Sequence, residues 1–298
     1  MAKVRELMKY AFFLGCLIPA REPQYENSVR KIAPELGIEL VEMEGANCCA
    51  PFSIQSVDYT SWLALAARNL CMAEQMGLNI LTLCNDCYES LLATNTLLKG
   101  NQELRDGVNA ILADVGMEFK GKTDVKIFSD ALYEDVGLKR VKDAVKRPFN
   151  GLRVAVQPGC HLTKPKRIHF GERTGVSALD ELVQATGAVS IPYERKEACC
   201  GGPLRGIKDD VALSVAKQKL DSMKNAGAKG IVTVCPFCFI EMDMGQIEIK
   251  RHSNEEYSLP VLSYAELLRL AMGMKLEDWE IRAHRVPITG LLDMAEAK

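Results

Sequence analysis

Ten of the eleven cysteines in this 298-residue chain fall into two sets with nearly the same internal spacing. No other feature of the sequence constrains the fold as strongly. The first set is Cys16, the adjacent pair Cys48 and Cys49, then Cys84 and Cys87. The second is Cys160, the pair Cys199 and Cys200, then Cys235 and Cys238. As patterns they read C-x31-CC-x34-C-x2-C and C-x38-CC-x34-C-x2-C. The adjacent pair and the last two cysteines recur at an offset of 151 residues, and the first cysteine at 144, so a seven-residue insertion follows Cys160. Chance does not hold five cysteines in register twice, and the chain reads as a duplicated unit.

The surrounding text repeats as well. Tyr10–Cys16 (YAFFLGC) and Leu152–Cys160 (LRVAVQPGC) are apolar, strand-like runs that end at a glycine and a cysteine. Asn79–Cys87 (NILTLCNDC) and Gly230–Cys238 (GIVTVCPFC) are buried-strand patterns running into CxxC. Val125–Gly137 matches Leu259–Gly273, each a strand followed by a helix. Helical patterns over Ser61–Gly77 and Asp209–Gly227 are closed by glycine. Continuous apolar strands alternating with helices predict parallel α/β units. The expected fold is therefore α/β, with two pseudo-symmetric halves that each hold a short parallel sheet. Their boundaries fall at 1–150 and 151–298, joined near Lys146–Gly151. Cysteines that follow strands sit at the carboxyl edge of such a sheet, where α/β proteins build their sites. Ala50-Pro51 and Gly201-Gly202-Pro203 would turn the chain just after each cysteine pair.

Composition decides what the cysteines are for. With 48% hydrophobic and 26% charged residues the chain has ordinary core-forming material and needs no disulfide staples. The odd cysteine count also argues against a disulfide framework. The N-terminal MAKVRELMKYAFFLGC lacks a small-residue cleavage site, so no signal peptide is expected and a reducing cytoplasm fits. A net charge of −2 gives no reason to expect a nucleic-acid partner. The longest stretch without a charged residue, Gly45–Val57, has 13 residues, well short of the ~20 that cross a membrane. Metal-bound thiolates remain. Structural zinc takes four ligands and five cysteines overfill it, whereas iron–sulfur clusters are cysteine-bound. Zinc stays as the alternative metal, and the fifth sulfur would bridge two irons or serve as a redox thiol.

With these motifs in hand, GCLIPAREPQYE, QPGCHLTKP and CCGGP together with the two CC and CxxC blocks, the chain resembles the duplicated cysteine-rich CCG domain of the heterodisulfide reductase B-subunit, from Tyr10 to about Gly273. The resemblance implies two non-cubane [4Fe–4S] clusters. Cys16, Cys48, Cys49, Cys84 and Cys87 would hold one, and Cys160, Cys199, Cys200, Cys235 and Cys238 the other. The first block departs from the pattern, with CCAPF where the second has CCGGP. The implied reaction is reduction of the mixed disulfide of coenzyme M and coenzyme B to two thiols, one half of the duplication serving each thiolate. The implied partners are a ferredoxin-like iron–sulfur subunit and a flavin subunit, since this chain shows no flavin or nucleotide site of its own. The alternative within the same relations is an electron-relay subunit with no disulfide site, as in CCG-containing oxidases and dehydrogenases.

The substrate that the resemblance implies is anionic, and basic side chains near the cysteines are candidates to bind it. Arg21, Lys164 and Arg167 are the candidates, while Lys166 reads as solvent-facing. His161 adjoins Cys160 and is the candidate proton donor to a departing thiolate. His169, His252 and His284 lie in polar text and are expected at the surface. Gly116–Thr123 fits G-x4-G-K-T, but helix precedes it and strand follows, the reverse of a phosphate-binding loop. Cys71 lies on an apolar helical stretch and is expected in the core, and Met72, Met76, Met242 and Met244 are expected as core or packing residues. The 275–298 tail lies outside the repeat and would either dock a partner or pack on its own domain.

Overall fold

The computed structural model describes residues 7–162, 175–253 and 255–296. Its two four-stranded sheets are wholly parallel and share one topology. In the first half the strands are β1 (Met8–Phe13), β2 (Ile38–Glu42), β3 (Asn79–Thr82) and β4 (Val125–Ile127), in the order β2-β1-β3-β4. In the second they are β5 (Arg153–Gln157), β6 (Val189–Ser190), β7 (Gly230–Thr233) and β8 (Val261–Ser263), in the order β6-β5-β7-β8. β7 and β8 are buried at every position, and β3 and β5 at every position but the first, which is why their sequences show no polar alternation. Each half registers its central pair alike, Tyr10 with Asn79 and Val154 with Gly230. The edge strands β2 and β6 carried no clear sequence signal. β2 is only partly buried, and β6 has two residues.

The helices expected over 61–77 and 209–227 form at Tyr59–Met76 and Asp209–Asn225. Asp58 caps the first by accepting the Ser61 backbone N–H at 3.0 Å. After β4 the chain does not continue as a regular α-helix. Ala131–Gly137 widens into a π-helix, where Asp135 accepts a hydrogen bond from Tyr10 at 2.5 Å and pairs with Lys126 at 2.7 Å. The nucleotide-loop match is ruled out by order, as expected. Helix Gln102–Leu112 and a short 3-10 turn precede Gly116, and β4 follows.

The buried apolar residues of the two halves form one continuous core. Helix Pro23–Ile32 of the first half packs against helix Tyr264–Ala271 of the second. Tyr25 meets Phe239 edge to face, with ring centroids 5.9 Å apart, and its hydroxyl donates to the Thr233 carbonyl at 3.1 Å. The connection near residue 149 is itself buried: Phe149 is 1% exposed and its N–H donates to the Thr186 carbonyl. The tail packs on this framework through helices Asp278–Ala283 and Thr289–Glu296, with Glu280 and Ile288 fully buried.

Cys71 sits in the core at 1% exposure, and burial raises its thiol pKa to about 12. Cys71→Ala is expected to cost about 1 kcal/mol of stability and to leave iron content unchanged. Loss of iron in that variant, measured against the parent protein, would show Cys71 to be a ligand.

Candidate metal centres

All ten repeated cysteines lie beyond the carboxyl ends of strands. Cys16 follows β1, the pair Cys48 and Cys49 follows β2, and Cys84 and Cys87 follow β3. The second half repeats this with β5, β6 and β7. Local devices recur with the cysteines. Gly15 and Gly159 both take positive φ, +69° and +81°, to swing the chain toward the site. A side chain on Gly15 would stand 2.8 Å from the Cys87 sulfur, and one on Gly159 would stand 2.4 Å from the Asn85 amide nitrogen. Thr82 and Thr233, each fully buried, accept the backbone N–H of Cys84 at 3.4 Å and of Cys235 at 3.2 Å. The CxxC segments then open helices Asn85–Gly100 and Pro236–Ser253, whose N-termini favour thiolate over thiol.

The turn after each cysteine pair is also kept. Gly201 has φ of 92°, and Ala50 holds the matching left-handed position at 55°. The departure of CCAPF from CCGGP therefore preserves the geometry, at a cost of about 1 kcal/mol for a Cβ in that region.

These loops enclose two cavities. One is lined by Cys16, Cys48, Cys49, Cys84 and Cys87, the other by Cys160, Cys199, Cys200, Cys235 and Cys238. Asp86 and Phe237, the second residue inside the first CxxC and its counterpart in the second, line both cavities and form the wall between them. Cys84 and Cys235 stand near enough across that wall for each to shift the acidity of the other. Within the sets the sulfurs approach as hydrogen-bonded neighbours, at 3.9 Å for Cys16 and Cys48 and 3.4 Å for Cys238 and Cys200. Sharing protons this way drives alternate members apart in acidity. Cys48, Cys84 and Cys199 are pulled below the ordinary thiol range by hydrogen bonds from Cys49, Cys235 and Cys160. Cys49 and Cys238 are pushed up by their sulfur neighbours Cys48 and Cys200. A cavity walled by five converging sulfurs, some already acidic, suits a cationic metal centre and is a poor place for five neutral thiols.

The second residue of the CHLT segment crosses the seam. His161 Nδ1 hydrogen-bonds to Glu89 of the first half and lies 4.0 Å from Asp86. Burial alone would lower its pKa, but the hydrogen bond and charge of Glu89, with Asp86, outweigh that and raise it to about 9. Asp86 is pushed up to about 7 by burial, against the pull of His161. Arg21 is exposed in the last turn of helix Leu17–Arg21 and reaches Met244 of the second half at 3.9 Å. Met242 is buried in the core, Met72 and Met76 are half-buried and pack against it, and Met244 is half-buried. Lys164, Lys166, Arg167 and His169 lie outside the described residues.

One expectation is overturned. His252 is exposed, but His284 is 7% exposed, bonds Glu266 at 3.0 Å and lies beside the Phe239 ring. Its polar neighbours in sequence gave no hint that the tail folds back there. Other residues went unnoticed. Gln157 donates to the Cys238 sulfur at 3.5 Å, and the Tyr193 hydroxyl shares its proton between the Val156 carbonyl at 3.0 Å and the Gln157 side-chain oxygen at 3.1 Å. Lys219 anchors the loop that leads into Cys199. Gln157 stands in the quoted QPGC motif and Thr82 and Thr233 in a repeated T-x-C, so those signals were present. Lys219 had none, being one lysine in a helix rich in them.

Comparison with known proteins agrees with the architecture. The family described as a cysteine-rich CCG domain matches twice, at residues 10–91 and 154–243. The chain is 38% identical over 284 residues to the B-subunit of a ferredoxin/F420H2-dependent CoB-CoM heterodisulfide reductase from Methanosarcina acetivorans, covering 94% of each chain. It is 31% identical to the 8-methylmenaquinol:fumarate reductase membrane anchor subunit of Wolinella succinogenes, covering 95% of this chain and 99% of that one. A solved structure of a hypothetical protein from Helicobacter pylori shares the fold, with a TM-score of 0.76 at 13% identity over 96% of this chain and 54% of its own. The class is thus a duplicated cysteine-rich iron–sulfur protein, a subunit of an oxidoreductase. Within that class the chain belongs to the heterodisulfide reductase B-subunit family. No helix among the described residues is long and apolar enough to cross a membrane.

Proposed function

We propose that this chain is the catalytic subunit that reduces the mixed disulfide of coenzyme M and coenzyme B to two thiols. It acts in the cytoplasm, with a ferredoxin-like iron–sulfur subunit and a flavin subunit delivering electrons. The observation that carries the reading is the pair of five-sulfur cavities that share the Asp86–Phe237 wall. Each cavity would hold one [4Fe–4S] cluster of the non-cubane kind, through Cys16, Cys48, Cys49, Cys84 and Cys87 in the first and Cys160, Cys199, Cys200, Cys235 and Cys238 in the second. When bound, the clusters supply the two electrons that the reduction of a disulfide consumes.

The chain's own residues supply the rest. Two thiolates leave and must take up two protons; His161, which lines the second cavity, holds one at Nδ1 in its contact with Glu89, and the other comes from solvent. Arg21, one turn from Ile18 of the first cavity, is proposed to meet an anionic group of the substrate. Lys164 and Arg167, which follow Cys160 closely in the sequence, are proposed for the same task. A second reading, an electron relay without a disulfide site, is favoured by the likeness to the fumarate reductase subunit along its whole length.

Anaerobic preparations are expected to be brown and to carry about eight irons per chain. With reduced viologen as donor they are expected to cleave the heterodisulfide. Stoichiometric zinc would overturn the cluster assignment. Eight irons that reduce and reoxidise without disulfide cleavage would favour the relay.

A further inference from the structure

The two cavities repeat their sulfurs but not what surrounds them. At three matched positions the second half places a positive charge or an N–H group where the first half has none or a weaker one. Lys219 is fully buried, and its ammonium donates to the carbonyls of Arg195, Lys196 and Ala198 at 2.5, 3.2 and 2.7 Å. Three acceptors match the three N–H donors of a charged lysine, one more than a neutral amine can offer. The same nitrogen stands 5.7 Å from the centre of the Tyr193 ring. The residue 151 positions earlier is Arg68, which holds the corresponding carbonyl of Gly45 at 3.0 Å but is half-exposed and turns to Asn47 and Met72.

The second difference is a side-chain amide. The Gln157 amide nitrogen faces Cys238 at 3.5 Å, while its oxygen lies 3.1 Å from the Tyr193 hydroxyl, whose single proton it shares with the Val156 carbonyl at 3.0 Å. The residue three before Cys16, matching Gln157 before Cys160, is Phe13, which has no donor to give. The third difference lies in the backbone. Gly202 N–H donates to the Cys200 sulfur at 3.4 Å, while its counterpart Pro51 has no N–H.

A buried positive charge and hydrogen bonds to sulfur both stabilise the more negative, reduced form of an iron–sulfur centre. We infer that the second centre takes up its electron at a higher potential than the first, with Lys219 and Gln157 as the side chains that set the difference. The inference rests on the proposal that each half holds a cluster. It concerns the order in which two one-electron centres fill, and it adds no step to the chemistry.

The test is a potentiometric titration of the cluster-loaded chain followed by electron paramagnetic resonance. The two centres are assigned by which signal is lost in Cys87→Ala and which in Cys238→Ala. In the parent protein the centre lost in Cys238→Ala is expected to be reduced first. Lys219→Met is expected to lower that centre's reduction equilibrium about tenfold, or ~59 mV for one electron, and to leave the other unmoved. Lys219→Arg restores it, which a merely structural role for the side chain would not explain. Gln157→Leu shifts the same centre in the same direction by less. If Lys219→Met does not load iron, the parent titration and Gln157→Leu carry the test. Equal potentials, the reverse order, or equal shifts of both centres overturn the inference at eight irons per chain. About four irons per chain overturn the two-cluster reading and this inference with it.

Discussion

Cys87→Ala and Cys238→Ala are each expected to abolish heterodisulfide cleavage by an artificial electron donor, although each damages only one half. The expectation follows from the shared wall. Asp86 and Phe237 line both cavities, and Cys84 of the first half and Cys235 of the second shift each other's acidity across the wall, so one substrate spanning it would meet both centres. Two independent sites would each work alone and leave about half the activity. A linear relay would lose turnover when its terminal centre is damaged, yet it would leave the other centre reducible. Iron content and the spectrum of the untouched cluster separate failure of the site from failure to fold. Substantial turnover in either variant would sink the shared-site mechanism. Both cysteines are almost fully buried, so alanine also leaves a small cavity, at a cost of roughly 1 kcal/mol that the remaining core can absorb.

The repeat was legible because its parts are local. A glycine before the first cysteine, a threonine two residues before CxxC and an apolar strand ahead of each are short strings, and the structure uses them as strings. The parallel sheets were likewise written in strands without polar alternation. The seam between the halves was not legible, because nothing in either string records what the other half brings to it. His161 gains Glu89 from 72 residues away, and Tyr25 bonds Thr233 from 208 away. His284 was misplaced because the tail folds back on its own half, onto Glu266 and Phe239, which its sequence neighbours do not record. The asymmetry between the centres was half visible: Pro51 against Gly202 is plain in the text, whereas the burial of Lys219 depends on the packing of its helix.

Glu280→Ala is expected to destabilise the folded protein by about 3–5 kcal/mol, the cost of leaving a buried charge without its partner. Its carboxylate is fully buried and takes hydrogen bonds from Arg269 at 2.6 Å, Asn27 at 2.9 Å and the Glu277 N–H at 2.6 Å. Arg269 in turn reaches Ser28 at 3.3 Å and the Lys275 carbonyl at 2.6 Å. One ion pair therefore ties the tail to helix Pro23–Ile32 of the first half and helix Tyr264–Ala271 of the second. This is why a tail outside the cysteine repeat packs on its own chain. Arg269→Met alone should cost a similar amount, because it strands the carboxylate instead. The double variant Arg269→Met/Glu280→Leu should cost much less than the two single changes added together, since no charge is left buried. Denaturant unfolding of the three variants measures this directly, with iron content as a check that the distant centres still assemble. A cost near zero for Glu280→Ala, with both clusters retained, would mean that the tail can leave the seam without loosening the two halves.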